Sequence, residues 1–236
     1  MARASLVFVS VALLVLGGCA EIGNDLGLEL PKLGAAQPAP EQVSVSGKQV
    51  VIAGPKGFCI DPTETRDKAE NAFVLLGSCQ AISNSLFKPA PKVPAVLVAT
   101  VSGHTKSAPI AESTDTLRKF FASEPGRAAL SRDGKAETVE VLKTSSRDGV
   151  FYIHARDSSH EALAGAGEEY WRALFNIKGR IVSASVFGLK EKPIPAATGY
   201  ALLSDFTQRI RAKNAPAGEK KPTLSFLEQV FKKESL

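Results

Sequence analysis

Apolar and polar residues alternate most regularly between Tyr170 and Phe187, a pattern typical of an antiparallel hairpin. With Lys178 and Gly179 as a two-residue turn, apolar residues fall opposite each other on one face. The apolar pairs are Phe175 with Val182, Ala173 with Ala184 and Trp171 with Val186, and the other face pairs Arg172 with Ser185 and Leu174 with Ser183. The pattern therefore predicts two long strands with a defined register.

Shorter apolar runs, bounded by glycine, proline or polar residues, predict further strands. These runs are Val50–Ile52, Phe58–Ile60, Ala72–Ala81, Ala95–Val101, Glu137–Lys143 and Val150–Ala155. The segment from Ala72 to Ala81 (AFVLLGSCQA) is a mainly apolar run of strand length, as expected of a buried strand.

Helical spacing occurs twice. Leu117, Phe120 and Phe121 predict a helix over 114–122. Leu203, Phe206 and Ile210, with Leu202 beside them, predict a second helix over 197–213, and Asn214 and Pro216 are its stop signals. An apolar and basic segment, 224–233, is a candidate for one more short helix.

Runs of strands joined by hairpins, with helices in the middle and at the end, predict an α+β fold in which helices pack on an antiparallel sheet. The last hairpin, YWRALFNIKGRIVSASVFG, and the helix after it, YALLSDFTQRIRAKN, resemble the corresponding part of PsbP-like α-β-α sandwich proteins, which include bacterial periplasmic lipoproteins. The resemblance covers about 45 residues by pattern. It implies a binding or assembly accessory and assigns no functional residue.

The first 18 residues have the pattern of an export signal. Arg3 precedes an apolar run from Leu6 to Leu16, and 11 residues are too few for a membrane span, which needs about 20. Small residues follow this run, as at signal cleavage sites.

Leu16-Gly17-Gly18-Cys19 resembles the lipobox of bacterial lipoproteins. The resemblance implies cleavage before Cys19 and attachment of diacylglycerol, and of further palmitate-type acyl chains, to that cysteine. Two or three chains hold a protein on a membrane, whereas one chain binds marginally. Ala20 in place of aspartate favours the outer membrane over the inner one. An ordinary signal peptide cleaved near Ala20 is the alternative.

These features divide the chain into four parts: 1–18, a lipoprotein signal peptide; 19–46, the acylated cysteine and a flexible tether; 47–215, the α+β domain; and 216–236, a basic tail or short helix. The tether prediction rests on residues 20–46, which contain three glycines, three prolines and no aromatic residue. Such a segment lets the domain sit off the lipid surface.

Composition and charge narrow the classes of partner that we expect for this protein. Hydrophobic residues make up 44% and charged residues 22% of the chain, which is ordinary globular usage. The net charge of +5 falls to +4 when Arg3 is removed, and residues 209–236 alone, with seven Lys or Arg and three Glu, also sum to +4. We expect contact between this basic tail and anionic lipid, or else a merely solvated tail. Nucleic acid is not expected as a partner of an exported protein.

Two cysteines remain after processing, Cys59 and Cys79. An oxidising compartment favours a structural disulfide between them. A redox pair is the alternative, and the absence of C-x-x-C spacing argues against it.

Candidate chemistry is sparse. His154, Asp157, His160 and Glu161 gather four potential ligands, but their spacing fits no known metal site, and we expect neither a metal nor another cofactor. No nucleophile elbow, phosphate-binding loop or H-E-x-x-H motif occurs, and Ser85 and Lys88 match S-x-x-K without its companion motif.

The sequence therefore predicts a membrane-anchored envelope lipoprotein that faces the periplasm and acts as a non-enzymatic binding or assembly module, with an envelope protein as the expected partner. Two alternatives stay open. One is a hydrolase or peptidoglycan-active enzyme that uses a histidine and a carboxylate such as His154 and Asp157. The other is a small-ligand binder with the Trp171 face lining its pocket.

Overall fold

The computed structural model describes residues 37–68, 70–159 and 165–216. The strands are β1 (Gln42–Val45), β2 (Val50–Ala53), β3 (Phe58–Ile60), β4 (Arg66–Lys68), β5 (Asn71–Ser78), β6 (Ala95–His104), β7 (Val139–Arg147), β8 (Val150–Asp157), β9 (Ala166–Ile177) and β10 (Arg180–Leu189). The α-helices are α1 (Cys79–Ser83), α2 (Thr114–Ala122), α3 (Glu124–Leu130) and α4 (Ala196–Asn214), and short 3-10 helices cover Ile110–Glu112 and Ala136–Thr138.

Eight strands form one antiparallel sheet in the order β3-β5-β6-β10-β9-β8-β7, with β4 pairing β5 on the same side as β3. Strands β1 and β2 form a separate antiparallel ribbon. The predicted α+β class with an antiparallel sheet and packed helices is confirmed.

The long hairpin lies in the middle of this sheet with the predicted register. Phe175 pairs with Val182, Ala173 with Ala184, and Trp171 with Val186. The turn residues Lys178 and Gly179 both have positive φ, as a type I′ turn requires. The alternation of apolar and polar residues, together with the turn at Lys178 and Gly179, was sufficient to predict all of these pairs.

One face of the sheet is covered by α4 and the β1–β2 ribbon. Leu203, Phe206 and Ile210 are fully buried there, against the alternating residues of β5, β6, β9 and β10. The side chain of Asn214, at the end of α4, ties the helix to the ribbon: it donates to the Val51 carbonyl oxygen at 2.7 Å and accepts from the Val51 N–H at 2.9 Å. The residue that sequence analysis took only as a stop signal is therefore also a clamp.

The opposite face carries a second core beneath α2 and α3. Phe121, Leu130, Phe151, Tyr170 and Phe187 are its largest buried residues. Phe121 stacks on Phe151, with ring centroids 6.0 Å apart. Helices therefore cover both faces of the sheet, as an α-β-α arrangement requires.

Three predicted details differ from the structure. The first strand begins at Gln42, inside the predicted tether, because the ribbon needs a partner for β2. The predicted strand 72–81 ends at Ser78, and Cys79 begins α1. Phe120 is 41% exposed, because Phe121 rather than Phe120 turns into the core. The candidate helix at 224–233 lies outside the described residues.

Helix α3 was not predicted, and a glycine makes its close approach to α2 possible. A Cβ atom at Gly126 would collide with the Phe120 carbonyl oxygen and lie 2.7 Å from the Phe121 Cα atom. The carbonyl oxygen cannot move without disrupting the end of α2, so this position requires glycine.

We expect Gly126→Ala to destabilise the fold by at least about 2 kcal/mol, because the methyl group pushes α3 away from α2. Urea denaturation measures the loss. Gly77→Ala is the matched control, since a Cβ atom there makes only an ordinary contact with Ile82 at 3.5 Å. Equal midpoints for the two variants would show that the α2–α3 contact is not tight.

Candidate functional site: a polar pocket beside a buried ion pair

A buried ion pair joins the segment after α3 to the end of β8. The Asp157 carboxylate is fully buried and accepts the Arg132 Nε–H at 3.1 Å and the Arg132 backbone N–H at 2.8 Å. The Arg132 Nη2 group donates to the Asp157 carbonyl oxygen at 2.8 Å and lies 3.3 Å from the Gly167 carbonyl oxygen. One arginine thus fixes the end of β8 and the start of β9.

The hydrogen bonds decide the protonation of Asp157. Burial acts to raise its pKa, but the backbone N–H groups of Ser159 and Arg132, helped by their side chains, outweigh burial and hold the pKa below the ordinary value. The carboxylate is therefore charged at neutral pH, and it is committed to structural partners.

Arg132 owes its position to α3. The Tyr170 hydroxyl donates to the Leu130 carbonyl oxygen at 2.8 Å, two residues before Arg132, and burial raises the pKa of that hydroxyl. The Arg132 guanidinium also lies over the Phe187 ring, 5.9 Å from its centroid. Packing of α3 on the second core therefore determines where this side chain points.

A pocket of about 550 Å³ opens beside the ion pair, between the end of β8, the start of β9 and the segment that follows β10. This volume is within the usual range for small-ligand sites. Charged side chains dominate its walls: Arg132, Arg156, Glu168, Glu169 and Lys190.

Glycines allow the strand ends around this pocket to approach closely. A Cβ atom at Gly167 would lie 3.3 Å from the Gly188 carbonyl oxygen, and one at Gly188 would lie 3.2 Å from Ile194. The β9–β10 register also shifts between Phe187 and Leu189. This irregularity ends the ladder and leaves room for the pocket.

Two cationic groups of the pocket wall have nitrogen atoms without a partner among the described residues. Arg132 Nη1 is buried without a hydrogen-bond partner among the described residues, and Lys190 forms no ion pair within that part of the chain. Arg156, by contrast, lies 3.3 Å from Glu140 and 3.6 Å from Glu169. Glu168, on the pocket wall, also forms no ion pair with the described residues. Among the described residues, the pocket wall therefore carries one exposed cation, Lys190, and one carboxylate, Glu168, without an ion pair, while Arg132 Nη1 is closed off from solvent.

His154 and Asp157, the pair considered for an enzyme, do not meet. They are three residues apart on β8, so their side chains lie on opposite faces of the sheet. His154 packs flat on Trp171, with centroids 4.3 Å apart, and its Nε2 atom is 2.7 Å from Glu169 Oε1. The Glu169 carboxylate is not aligned with the Nε2–H bond, so this contact does not count as a hydrogen bond. It is an ion pair when the imidazole is protonated.

The Trp171 face is core rather than an open pocket. Trp171 is 7% exposed and contacts Gly199 of α4 and the Tyr200 ring. The hollow beside it holds about 10 Å³, enough for a single water molecule. The ligand pocket that the small-molecule alternative placed here lies instead at the Arg132–Lys190 end, where no sequence motif marks it.

The remaining predicted residues are distributed as follows. The sulfur atoms of Cys59 and Cys79 lie at disulfide distance, 2.04 Å apart, and join β3 to α1. Cys19, His160 and Glu161 lie outside the described residues. Within 37–68, 70–159 and 165–216, no cluster of three metal-ligating side chains occurs. Over the same residues, every helix is too short or too polar to span a bilayer.

Comparisons with known proteins add little. No family model matches the chain, and no curated protein sequence matches it. Similar solved structures include a cyanobacterial PsbP from Synechocystis, with 11% identity, a TM-score of 0.40 and coverage of 82% of this chain and 96% of that one. They also include a point mutant of the protein Mog1, with 11% identity, a TM-score of 0.37 and coverage of 73% of this chain and 91% of that one. At these scores, neither likeness carries an argument about this chain.

We expect Asp157→Asn to lower stability at pH 7 by about 3 kcal/mol, because it leaves the buried Arg132 charge without its partner. The native carboxylate has a depressed pKa, so its stabilisation is present above the unfolded pKa of about 4 and disappears as pH falls through the folded value. The gap between wild type and variant should therefore narrow below about pH 4.

Thermal unfolding at a series of pH values measures this gap. Asp148→Asn is the control, since the Asp148 side chain is 78% exposed, and its effect should stay within about 0.5 kcal/mol. A gap for Asp157→Asn that stays constant down to about pH 2 would contradict the assigned charge state.

Proposed function

We propose that this chain is a lipoprotein anchored by acyl chains on Cys19, facing the periplasm and held preferentially at the outer membrane. Its domain acts as a non-enzymatic binding or assembly module. The anchor rests on the Leu16-Gly17-Gly18-Cys19 motif after an 11-residue apolar run. The net charge of +4 over residues 209–236 adds attraction to anionic lipid.

The pocket is the observation that carries the binding role. It combines a ligand-sized volume with an exposed cation, Lys190, that forms no ion pair with the described residues. A cation without an ion pair on a pocket wall favours an anionic acceptor from outside the domain. An acidic side chain or a terminal carboxylate of an envelope protein supplies such an acceptor.

The arrangement of titratable groups favours binding over catalysis. The Asp157 carboxylate forms a buried ion pair with Arg132. His154 lies on the opposite face of the sheet, where it contacts Trp171 and Glu169. A histidine and a carboxylate that shared one cavity would favour the hydrolase alternative, whereas this pair is separated by the sheet itself.

The anchor is tested by Cys19→Ser. We expect the native chain to fractionate with membranes and to incorporate radiolabelled palmitate, and the variant to lose the label entirely, because serine lacks the thiol that receives the lipid. Cys59→Ser together with Cys79→Ser is the control and should keep the label. Labelling of the Cys19→Ser variant would contradict the proposed anchor.

The binding role is tested by placing a photo-crosslinking amino acid at Pro193, an exposed residue on the pocket wall, in living cells. We expect one discrete protein adduct, at least about tenfold stronger than at Lys68, which is exposed on β4 at the opposite edge of the sheet. Charge reversal by Arg156→Glu should weaken the adduct if an acidic group is recognised. Identical adducts at both positions would contradict a partner site at the pocket.

A further inference from the structure

Two large apolar side chains are exposed to solvent on the loop that follows α1. Leu86 is 82% exposed and Phe87 is 100% exposed, and Phe120, at 41%, is the other large exposed hydrophobic residue in the described part of the chain. Burying a leucine or a phenylalanine side chain is favourable, and neither side chain gains that stabilisation within the domain.

The loop is fixed in shape by its own hydrogen bonds. The Ser85 N–H donates to the Gln80 carbonyl oxygen at 3.2 Å, and the Gln80 side chain returns a bond to the Leu86 carbonyl oxygen at 3.2 Å. Farther on, the backbone at Ala90 and Pro91 presses on Gly57, where a Cβ atom would lie only 2.6 Å from the Pro91 nitrogen. The apolar tip of the loop, Leu86 and Phe87, is therefore held by a turn with a defined backbone conformation.

The described chain begins beside this loop. The Gln37 N–H donates to the Ser83 carbonyl oxygen at 3.0 Å, at the last residue of α1. Gln37 is 18 positions after Cys19 in the sequence, and a chain of that length spans at most about 65 Å when fully extended. A lipid attached at Cys19 would therefore keep the point where the described chain begins, beside Leu86 and Phe87, within that distance of the bilayer.

The charged residues of the loop itself have one sign. Residues 79–94 contain Lys88 and Lys92 and no aspartate or glutamate, and Lys56 precedes the glycine on which the loop packs. All three lysines are exposed, and none forms an ion pair with the described residues. An aromatic tip with a basic rim matches the interface of an anionic bilayer, where lysines near the surface are attracted to the lipid phosphates.

We propose that residues 84–94 form a membrane-contact loop. Leu86 and Phe87 enter the boundary between headgroups and acyl chains, while Lys56, Lys88 and Lys92 contact lipid phosphates. This inference rests on the proposed anchor at Cys19, which brings the loop to the bilayer. The surface that this loop contacts is an anionic lipid bilayer.

The test uses the full protein purified from membranes and reconstituted into vesicles of equal parts phosphatidylglycerol and phosphatidylcholine. Phe87→Trp adds an indole at the tip, and Phe120→Trp adds one at a partly exposed site on α2, which packs on β7 at the opposite edge of the sheet. Bromination of the lipids near the glycerol end of the acyl chain quenches any indole that enters the bilayer. The unsubstituted protein gives the background from buried Trp171.

We expect at least a twofold loss of emission from the indole at position 87 and none from that at position 120. The loss should shrink in vesicles of phosphatidylcholine alone. Equal emission at both positions, in protein whose acylation is verified by mass, would overturn the loop and leave the anchor intact. Equal quenching with and without phosphatidylglycerol would overturn the role of the lysines.

A protein that lacks the acyl chains would contradict the anchor, and the loop is then tested alone. The unacylated protein should sediment with the anionic vesicles, and Leu86→Ser with Phe87→Ser should weaken that partition at least tenfold. Absence of vesicle binding, or a discrete protein adduct at position 87 without quenching, would overturn the membrane-contact loop.

Discussion

Strands β9 and β10 bury side chains on both faces, and this double burial dictates the layers around them. Trp171, Ala173 and Phe175 face α4, while Tyr170 and Phe187 face the second core. A strand that is apolar on both sides needs cover on both sides. Helices α2 and α3 supply the second cover, and the close contact at Gly126 brings the chain to Arg132, so the ion pair and the pocket depend on the burial of this hairpin.

The pocket and the exposed loop lie at the same end of the sheet. β5 leads into α1 where it pairs with the start of β6, and Ala95 of β6 pairs with Gly188 at the pocket end of β10. Three or four strand spacings separate β5 from β9 and β8, which is roughly 15–20 Å. On this account, the protein meets its partner close to the lipid surface.

Much of the fold follows from local pattern, whereas the site does not. The β9–β10 register follows from alternation and from the Lys178-Gly179 turn, because both depend on neighbouring residues alone. Phe120 was placed wrongly, because helical spacing cannot tell which of two adjacent aromatic residues meets Phe151. Helix α3 was missed because it has only seven residues and contains Gly126, so no apolar period can show. Arg132 and Asp157 are 25 residues apart, and only the assembled sheet brings them together.

The most direct measurement is the intact mass of the protein extracted from native membranes, with and without reductant. The account predicts residues 19–236 plus acyl groups, about 2 Da lighter before reduction because Cys59 and Cys79 have lost their thiol hydrogens. A mass without acyl groups, or one that retains residues 1–18, would contradict the lipid anchor on which the proposed function depends.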